Sequence, residues 1–450
     1  MLNGSPAWGW RVGPLFATQV ALLGLFDLGR QPGAAILVLF LAFAAFFYAV
    51  VACEQAATPV SLRSTLLVAA LLRLVLIPLP PTLSDDTLRY IWDGRVVSAG
   101  FDPYQLAPEA AELTALRDAS WEKMPHHQVP TVYPPLALML FALASQLPWP
   151  LISIKILLSL IDLLGCALLY RLAQKLELPP TRVLFYAWNP LLLLETAGMG
   201  HVDSLMATLS IAAVLLLAQG RPARAGAAAA AAVAAKLLPL LALPLWLRRS
   251  RPRWIFAAAT AALLTAFFLP LALLSGLPRG LWIYGKSWEW NGPLFEPLWR
   301  LIDVAELAPR IKSLLDQLKL WSETPGWHHG LNQIYPLVYP QLLAKAVLGS
   351  ALLAFLAYLC WRPPAPAIAI GRAFGAFLLA SATVYPWYLI GILPWAALCR
   401  RRSWLLAAAL QPLSYLPQKL PGLTLFPFFS LLIWLPVGLL LWREKPWSIA

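Results

Sequence analysis

Four of the ten aspartates in this 450-residue chain, Asp85, Asp86, Asp93 and Asp102, fall within eighteen positions, in the stretch SDDTLRYIWDGRVVSAGFDPY at 84–104. Only 12% of the residues are charged and 60% are hydrophobic, so acids are scarce and their clustering is informative. Ser84 is placed to cap a helix, Asp85 and Asp86 then occupy its first turn, and Gly100 stops it. A carboxylate at a helix N-terminus is stabilised by about 0.3–1 kcal/mol, which accounts for the first-turn acids as caps but not for Asp93. Helical spacing sets Asp86, Tyr90 and Asp93 on one face and Asp85, Arg89 and Trp92 on the adjacent one, with Asp85 and Arg89 spaced to pair. That pairing leaves Asp86 the freer base, with Asp85 as the alternative. A carboxylate, an aromatic ring and a cation on one short helix suit a sugar phosphate: the carboxylate takes a hydroxyl proton and the cation meets a departing phosphate.

Other residues extend the set. Arg89, Arg95, Lys236 and Lys286 are candidate phosphate partners. GMGHVDS at 198–204 puts His201 and Asp203 in a tight turn where a bare connection needs neither, and a sugar or acceptor site is the reading that uses them. His127 of MPHHQVP can join them, but it and its neighbour lack the i, i+4 helical spacing of a zinc site, so no metal ligands are expected. Lys155, Asp162 and Glu195 fall inside apolar runs, where an ionisable group is costly and by default functional.

These residues need a scaffold, and the composition says what kind. A mean hydropathy of +0.69, 21 tryptophans and repeated apolar runs describe an all-α polytopic membrane protein. The net charge of +13 sits in short clusters between those runs, RRSRPR at 248–253 and CRRR at 399–402, which reads as topology rather than nucleic-acid binding. No basic region precedes the first apolar run, so no cleaved signal is expected. Cys53, Cys166, Cys360 and Cys399 lack metal-type spacing and read as packing residues.

About twelve spans are predicted, at 13–28, 33–52, 63–79, 150–170, 183–197, 204–219, 254–274, 337–361, 368–383, 387–399, 404–417 and 424–442. The segment 225–247 is bracketed by basic clusters that should share the inner side, so it is predicted to be a re-entrant hairpin broken at Pro239, with Lys236 near its tip. YPPLALMLFALASQL at 133–147 is short and Pro-led, and is placed as an interfacial helix. The organisation is then N-terminal helices over 1–79, a first outer loop with its interfacial helix over 80–149, central helices over 150–274, a second outer loop over 275–336, and C-terminal helices over 337–450. The loop segments 80–133 and 275–336, predicted to carry short helices, hold eight and six acids, whereas the inner connections hold only Glu54, Glu177 and Glu444.

The stretch at 84–104, followed by TVYPPLALMLF at 131–141, resembles the first luminal loop of GT-C glycosyltransferases, which use polyprenyl-phosphate sugars. NPLLLLETAGMGHVDSLM at 189–206, AAKLLPLLALP at 234–244 and SWEWNGPLFEPL at 287–298 resemble the bacterial polyprenol-phosphate-mannose-dependent mannosyltransferases of that superfamily. The resemblance implies a GT-C-like bundle and a catalytic base at Asp86 or Asp85; the residues themselves offer donor phosphate contacts from Arg89, Arg95, Lys286 and Lys236. The expected sugar and acceptor site is drawn from Tyr90, Asp93, His127, His201, Asp203, Trp288, Glu289 and Asn291. The expected activity is inverting transfer of a hexose, mannose by the resemblance, to a lipid or glycan acceptor. It would occur on the periplasmic or extracellular side of a bacterial plasma membrane, with membrane lipids but no nucleic acid as partners. No cofactor and no divalent metal are expected, since one lipid phosphate is within the reach of Arg and Lys. The noncatalytic alternative, a transporter or flippase of lipid-linked sugars, calls for paired internal repeats, which the sequence does not display.

Overall fold

A lone arginine in the apolar run STLLVAALLRLVL organises the interior. In the computed structural model, which describes residues 7–56, 60–276, 278–321, 325–420 and 426–448, Arg73 is 1% exposed and faces Asp162, which is 0% exposed. Arg73 Nε donates to Asp162 Oδ2 at 2.9 Å and a second guanidinium nitrogen reaches the same oxygen. Its Nη1 donates to the carbonyls of Ala69 at 2.8 Å and Ala187 at 3.1 Å, and the Tyr186 hydroxyl donates to Asp162 Oδ1 at 2.8 Å. Bare charges at membrane depth cost several kcal/mol each, so this pair persists because nearly every donor and acceptor is used. It locks together the helices Leu62–Leu76 and Pro150–Lys175 and the short helix Leu184–Ala187.

The protein is an all-helical, multi-pass membrane protein. Among the described residues, four helices are long and apolar enough to cross a bilayer: Pro32–Glu54, Pro150–Lys175, Arg253–Leu274 and Pro340–Trp361. A fifth span is formed if Pro190–Gly198 and Asp203–Ala218, bent by 120° at their junction, count as one broken unit. The other predicted spans are shorter or interrupted. Over 183–197 the chain runs through Leu184–Ala187, Pro190–Leu193 and a π-turn at Leu194–Gly198. Pro190 ends one helix by removing an N–H, and the Asn189 side chain restarts the next by accepting from Leu191 N at 3.0 Å. The 387–399 span is likewise divided into Pro386–Gly391 and Leu393–Leu398, each with a proline in its first turn. These irregular pieces lie in the buried centre, where protein covers the backbone.

The segment 225–247 is broken, but not at Pro239. The helix Pro222–Ala235 ends where Lys236 becomes extended, at φ −159° and ψ 139°, and Pro239 opens the following 3-10 turn Leu238–Ala242. Proline tolerates a first helical turn, so the break falls three residues earlier than the proline suggested.

The first large loop carries the helix Asp86–Ser98, two short turns and the helix Pro135–Gln146. The two helices cross at Gly94, where an added Cβ would stand 2.2 Å from the Phe141 carbonyl oxygen. The second large loop carries Arg279–Ser287, Phe295–Val304, Leu307–Trp321 and Pro325–Ile334.

Because Asp162 is consumed by Arg73, its replacement should damage the scaffold. Asp162→Asn is expected to lower the thermal midpoint in detergent sharply, since breaking a buried pair costs about 3–5 kcal/mol, while Arg73→Met with Asp162→Leu recovers most of the loss. An Asp162→Asn protein that is fully stable would refute the bracing role.

Candidate active site

The helix Asp86–Ser98 presents its first carboxylate into a cleft between the two large loops. Asp85 is its N-cap but makes no side-chain capping bond and points into solvent, whereas the first-turn Asp86 is half-buried. Ser84 is buried, and its hydroxyl accepts only a long bond, 3.4 Å, from Asp86 N. The chain leaves the helix through Gly100 at φ +81°, the left-handed stop that glycine permits. Next to Asp86, the Thr87 hydroxyl donates to the Met199 carbonyl and so docks the helix against the 199–203 turn. That approach requires Gly200, which has φ +79° and whose missing Cβ would lie 3.1 Å from Thr87 Oγ1.

This docking brings Asp86 beside Asp203 and Lys236. The Lys236 ammonium pairs with Asp203 Oδ1 at 2.5 Å and lies 4.3 Å above the Tyr388 ring. Asp203 is 1% exposed, and its second oxygen has no hydrogen-bond partner among the described residues. Loss of water around Asp86 raises its carboxyl from 3.8 to about 7; Lys236 opposes the shift, and Asp203 and Asp85 add to it. A carboxyl poised there is half ionised near neutrality, the condition for a general base.

Behind Asp86 runs a buried polar chain. Tyr90 OH lies 3.4 Å from His201 Nδ1, His201 Nε2 lies 3.4 Å from Glu195 Oε2, and the Tyr415 hydroxyl donates to both Glu195 oxygens at 3.0 and 3.1 Å. The His201 ring stacks on Trp387 at 3.9 Å, and Trp387 stacks on Tyr385 at 4.6 Å. The sequence reading assigns His201 a sugar or acceptor contact; in the structure it is 0% exposed behind this pile and forms part of the wall.

Several other predicted residues are committed elsewhere. Arg89 pairs with Asp93 at 2.7 Å rather than with Asp85, and it also donates to the carbonyls of His126 and Val129. Asp93 accepts from Thr131 Oγ1 at 2.6 Å, so the pair braces the loop and not a ligand. The spacing allowed either partner, and Asp93 wins because both residues lie in the protein interior while Asp85 remains hydrated. Arg95 pairs with Asp118 at 2.6 Å, and His127 stacks on Trp121 at 4.1 Å. Glu289 pairs with Lys345 at 3.0 Å, Asn291 is buried and accepts from Trp434 Nε1 at 3.0 Å, Trp288 leans on His126 at 4.5 Å, and Lys286 is exposed. Of the four predicted phosphate partners, Lys236 alone is paired with an acid of this cleft. Sequence reasoning left out Tyr284, Tyr388 and Tyr415; their only signal was a proximity to helix ends that also suits an interfacial belt. Among the described residues no trio of His, Cys, Asp or Glu is grouped as metal ligands.

Leu237, the residue after Lys236, helps to wall an apolar cavity of about 280 Å³ with Tyr133, Phe268, Leu271, Pro278 and Leu281 among others. It abuts the last turns of Arg253–Leu274, a helix that the rest of the protein leaves largely uncovered.

The chain is similar to known proteins over much of its length. A family model described as "Alpha-(1->6)-mannopyranosyltransferase, N-terminal domain" matches residues 1–248, and one for glycosyltransferase family 87 matches residues 131–386. The Alpha-(1->6)-mannopyranosyltransferase A of Mycobacterium tuberculosis is 30% identical over 214 residues, 44% of this chain and 41% of that protein. The match thus spans about two-fifths of the relative's length.

Asp86 makes a stability prediction. Between 3.8 and about 7 the folded protein holds the Asp86 proton while the unfolded chain has released it, so stability falls as pH rises through that window. Asp86→Asn removes the effect. The variant is expected to melt above the wild type at pH 8 and closer to it at pH 4; an unchanged or lower midpoint at pH 8 would show that Asp86 is not held against its charge.

Proposed function

The chain belongs to the Alpha-(1->6)-mannopyranosyltransferase family and to glycosyltransferase family 87, and from that premise we propose that it moves a mannosyl group from a polyprenyl phosphate to a hydroxyl of a lipid or glycan acceptor, with inversion. The observation that carries the reading is the Asp86–Lys236 cleft beside an apolar cavity: a base, a single cation and a lipid-sized wall in one place.

Asp86 accepts the proton of the acceptor hydroxyl as its oxygen attacks the anomeric carbon. The bond from that carbon to the phosphate oxygen breaks, and the Lys236 ammonium compensates the charge that grows on the departing phosphate. Single displacement inverts the anomeric centre. Asp86, half-buried rather than sealed, returns the proton to water. The prenyl chain lies in the cavity lined by Phe268, Leu271 and Leu237, the last of them one residue from Lys236 in sequence, and reaches the bilayer past the outer turns of Arg253–Leu274. The loops face the outer side, where nucleotide sugars are absent and a lipid carrier is the available donor. The cluster of Arg and Lys on the opposite connections supports this orientation.

Three results test the proposal in membranes supplied with radiolabelled polyprenyl-phosphate mannose. Asp86→Asn should lose transfer by at least about a hundredfold while Asp85→Asn, hydrated and outside the cleft, stays within a few-fold of wild type. Transfer should persist with a chelator, since a monophosphate leaving group is met by Lys236. Wild-type rates in Asp86→Asn, or chelator loss restored by added metal, would contradict the mechanism.

A further inference from the structure

The ammonium assigned to the donor phosphate is held by more than its ion pair. Lys236 has Asp203 on one side at 2.5 Å and the face of Tyr388 on another at 4.3 Å, and its side chain remains 24% exposed toward the cleft. A carboxylate and a π-face both hold the ammonium, so two of its sides are fixed and a third is left open. Tyr388 is fixed in turn: its hydroxyl is hydrogen-bonded to the hydroxyl of Tyr284. Tyr284 belongs to Arg279–Ser287, the first helix of the second large loop.

That helix is itself stitched to the segment bearing Tyr388. Trp290 N donates to the Ala382 carbonyl at 2.9 Å, Val384 N donates to the Trp290 carbonyl at 2.8 Å, and Thr383 Oγ1 donates to the Trp288 carbonyl at 2.9 Å. Lys345 Nζ donates to the carbonyl of Lys286 at 2.9 Å, closing the end of the helix. The chain of support therefore runs from the second loop through Tyr284 and Tyr388 to the ammonium.

We propose that the Tyr284–Tyr388 hydroxyl pair is a positioning device for Lys236, which makes the first helix of the second loop part of the donor-phosphate site. A lysine has four rotatable side-chain bonds, and a wandering ammonium must be immobilised again at each binding event. The hydroxyl bond fixes the ring and the ring fixes the charge. Lys236 meets the phosphate both when the donor binds and as charge grows on it, so losing the pair weakens donor binding and slows the chemical step, while acceptor binding is left alone. The inference rests on the assignment of Lys236 to a polyprenyl phosphate donor.

The test is steady-state kinetics on the purified full chain, with polyprenyl-phosphate mannose varied against saturating acceptor and the reverse. Tyr388→Phe keeps the ring and Tyr284→Phe keeps the packing, so both variants should fold with near-native melting. Each is expected to raise the donor KM about threefold to tenfold, to lower kcat by up to about as much, and to leave the acceptor KM unchanged. The double Phe variant should be no worse than either single, because one bond is removed in all three. Tyr388→Leu, which also removes the π-face, should raise donor KM further, by about tenfold or more. An unchanged donor KM in the Phe variants, additive losses, or equal effects on donor and acceptor would overturn the role of the pair. Wild-type protein that transfers nothing from polyprenyl-phosphate mannose would instead overturn the donor reading on which it rests.

Discussion

One ammonium balances the site. Lys236 sits between Asp203 and the cleft that holds Asp86, in a region where acids outnumber accessible cations. Without it two carboxylates would face each other across poorly hydrated space, and the charge of one would oppose ionisation of the other. With it Asp86 is poised near 7 and Asp203 is occupied. The same charge that keeps the base usable is the one that meets a leaving phosphate, so base strength and donor binding are coupled through a single side chain.

The rest of the fold holds that arrangement in register. Arg73 and Asp162 fix the helices beneath the site, and Lys155 Nζ donates to the carbonyls of Ile77 and Leu79 where the chain leaves the bundle for the first loop. The Thr87 hydroxyl and the bare backbone at Gly200 then bring the Asp86 helix onto the 199–203 turn. The His201, Trp387 and Tyr385 stack closes the back of the cleft. Intramembrane charges here are structural at Asp162 and Lys155 and belong to the wall of the site at Glu195. The expectation that buried ions are functional thus holds only indirectly.

Much of this was legible in the chain. The Asp cluster, the Gly100 stop and the His201–Asp203 turn stand out because polar residues are rare in an apolar sequence. Lys236 announced itself as a cation inside a run of alanines and leucines. What could not be read was pairing. Arg89 had acids at both i−4 and i+4, and only burial of the surrounding loop decides for Asp93. Arg95 and Lys286 had no mark separating a hydrated or loop-bound cation from a ligand. Tyr284 and Tyr388 lie 104 positions apart, and nothing local reports that their hydroxyls meet. The uniform spans predicted over 183–197 and 387–399 failed because hydropathy averages over Pro190, Pro386 and Pro394, whereas the backbone cannot.

The account stands on Asp86 acting as the base in a cleft that raises its pKa. The most direct measurement is the pH dependence of kcat/KM for mannosyl transfer between pH 5 and 9, with folding monitored at each point. The structure predicts a plateau above about 7 and a tenfold fall per pH unit below it, because only the ionised carboxylate can take the acceptor proton. A rate that stays level from pH 5 to 8 in folded protein would contradict the assignment.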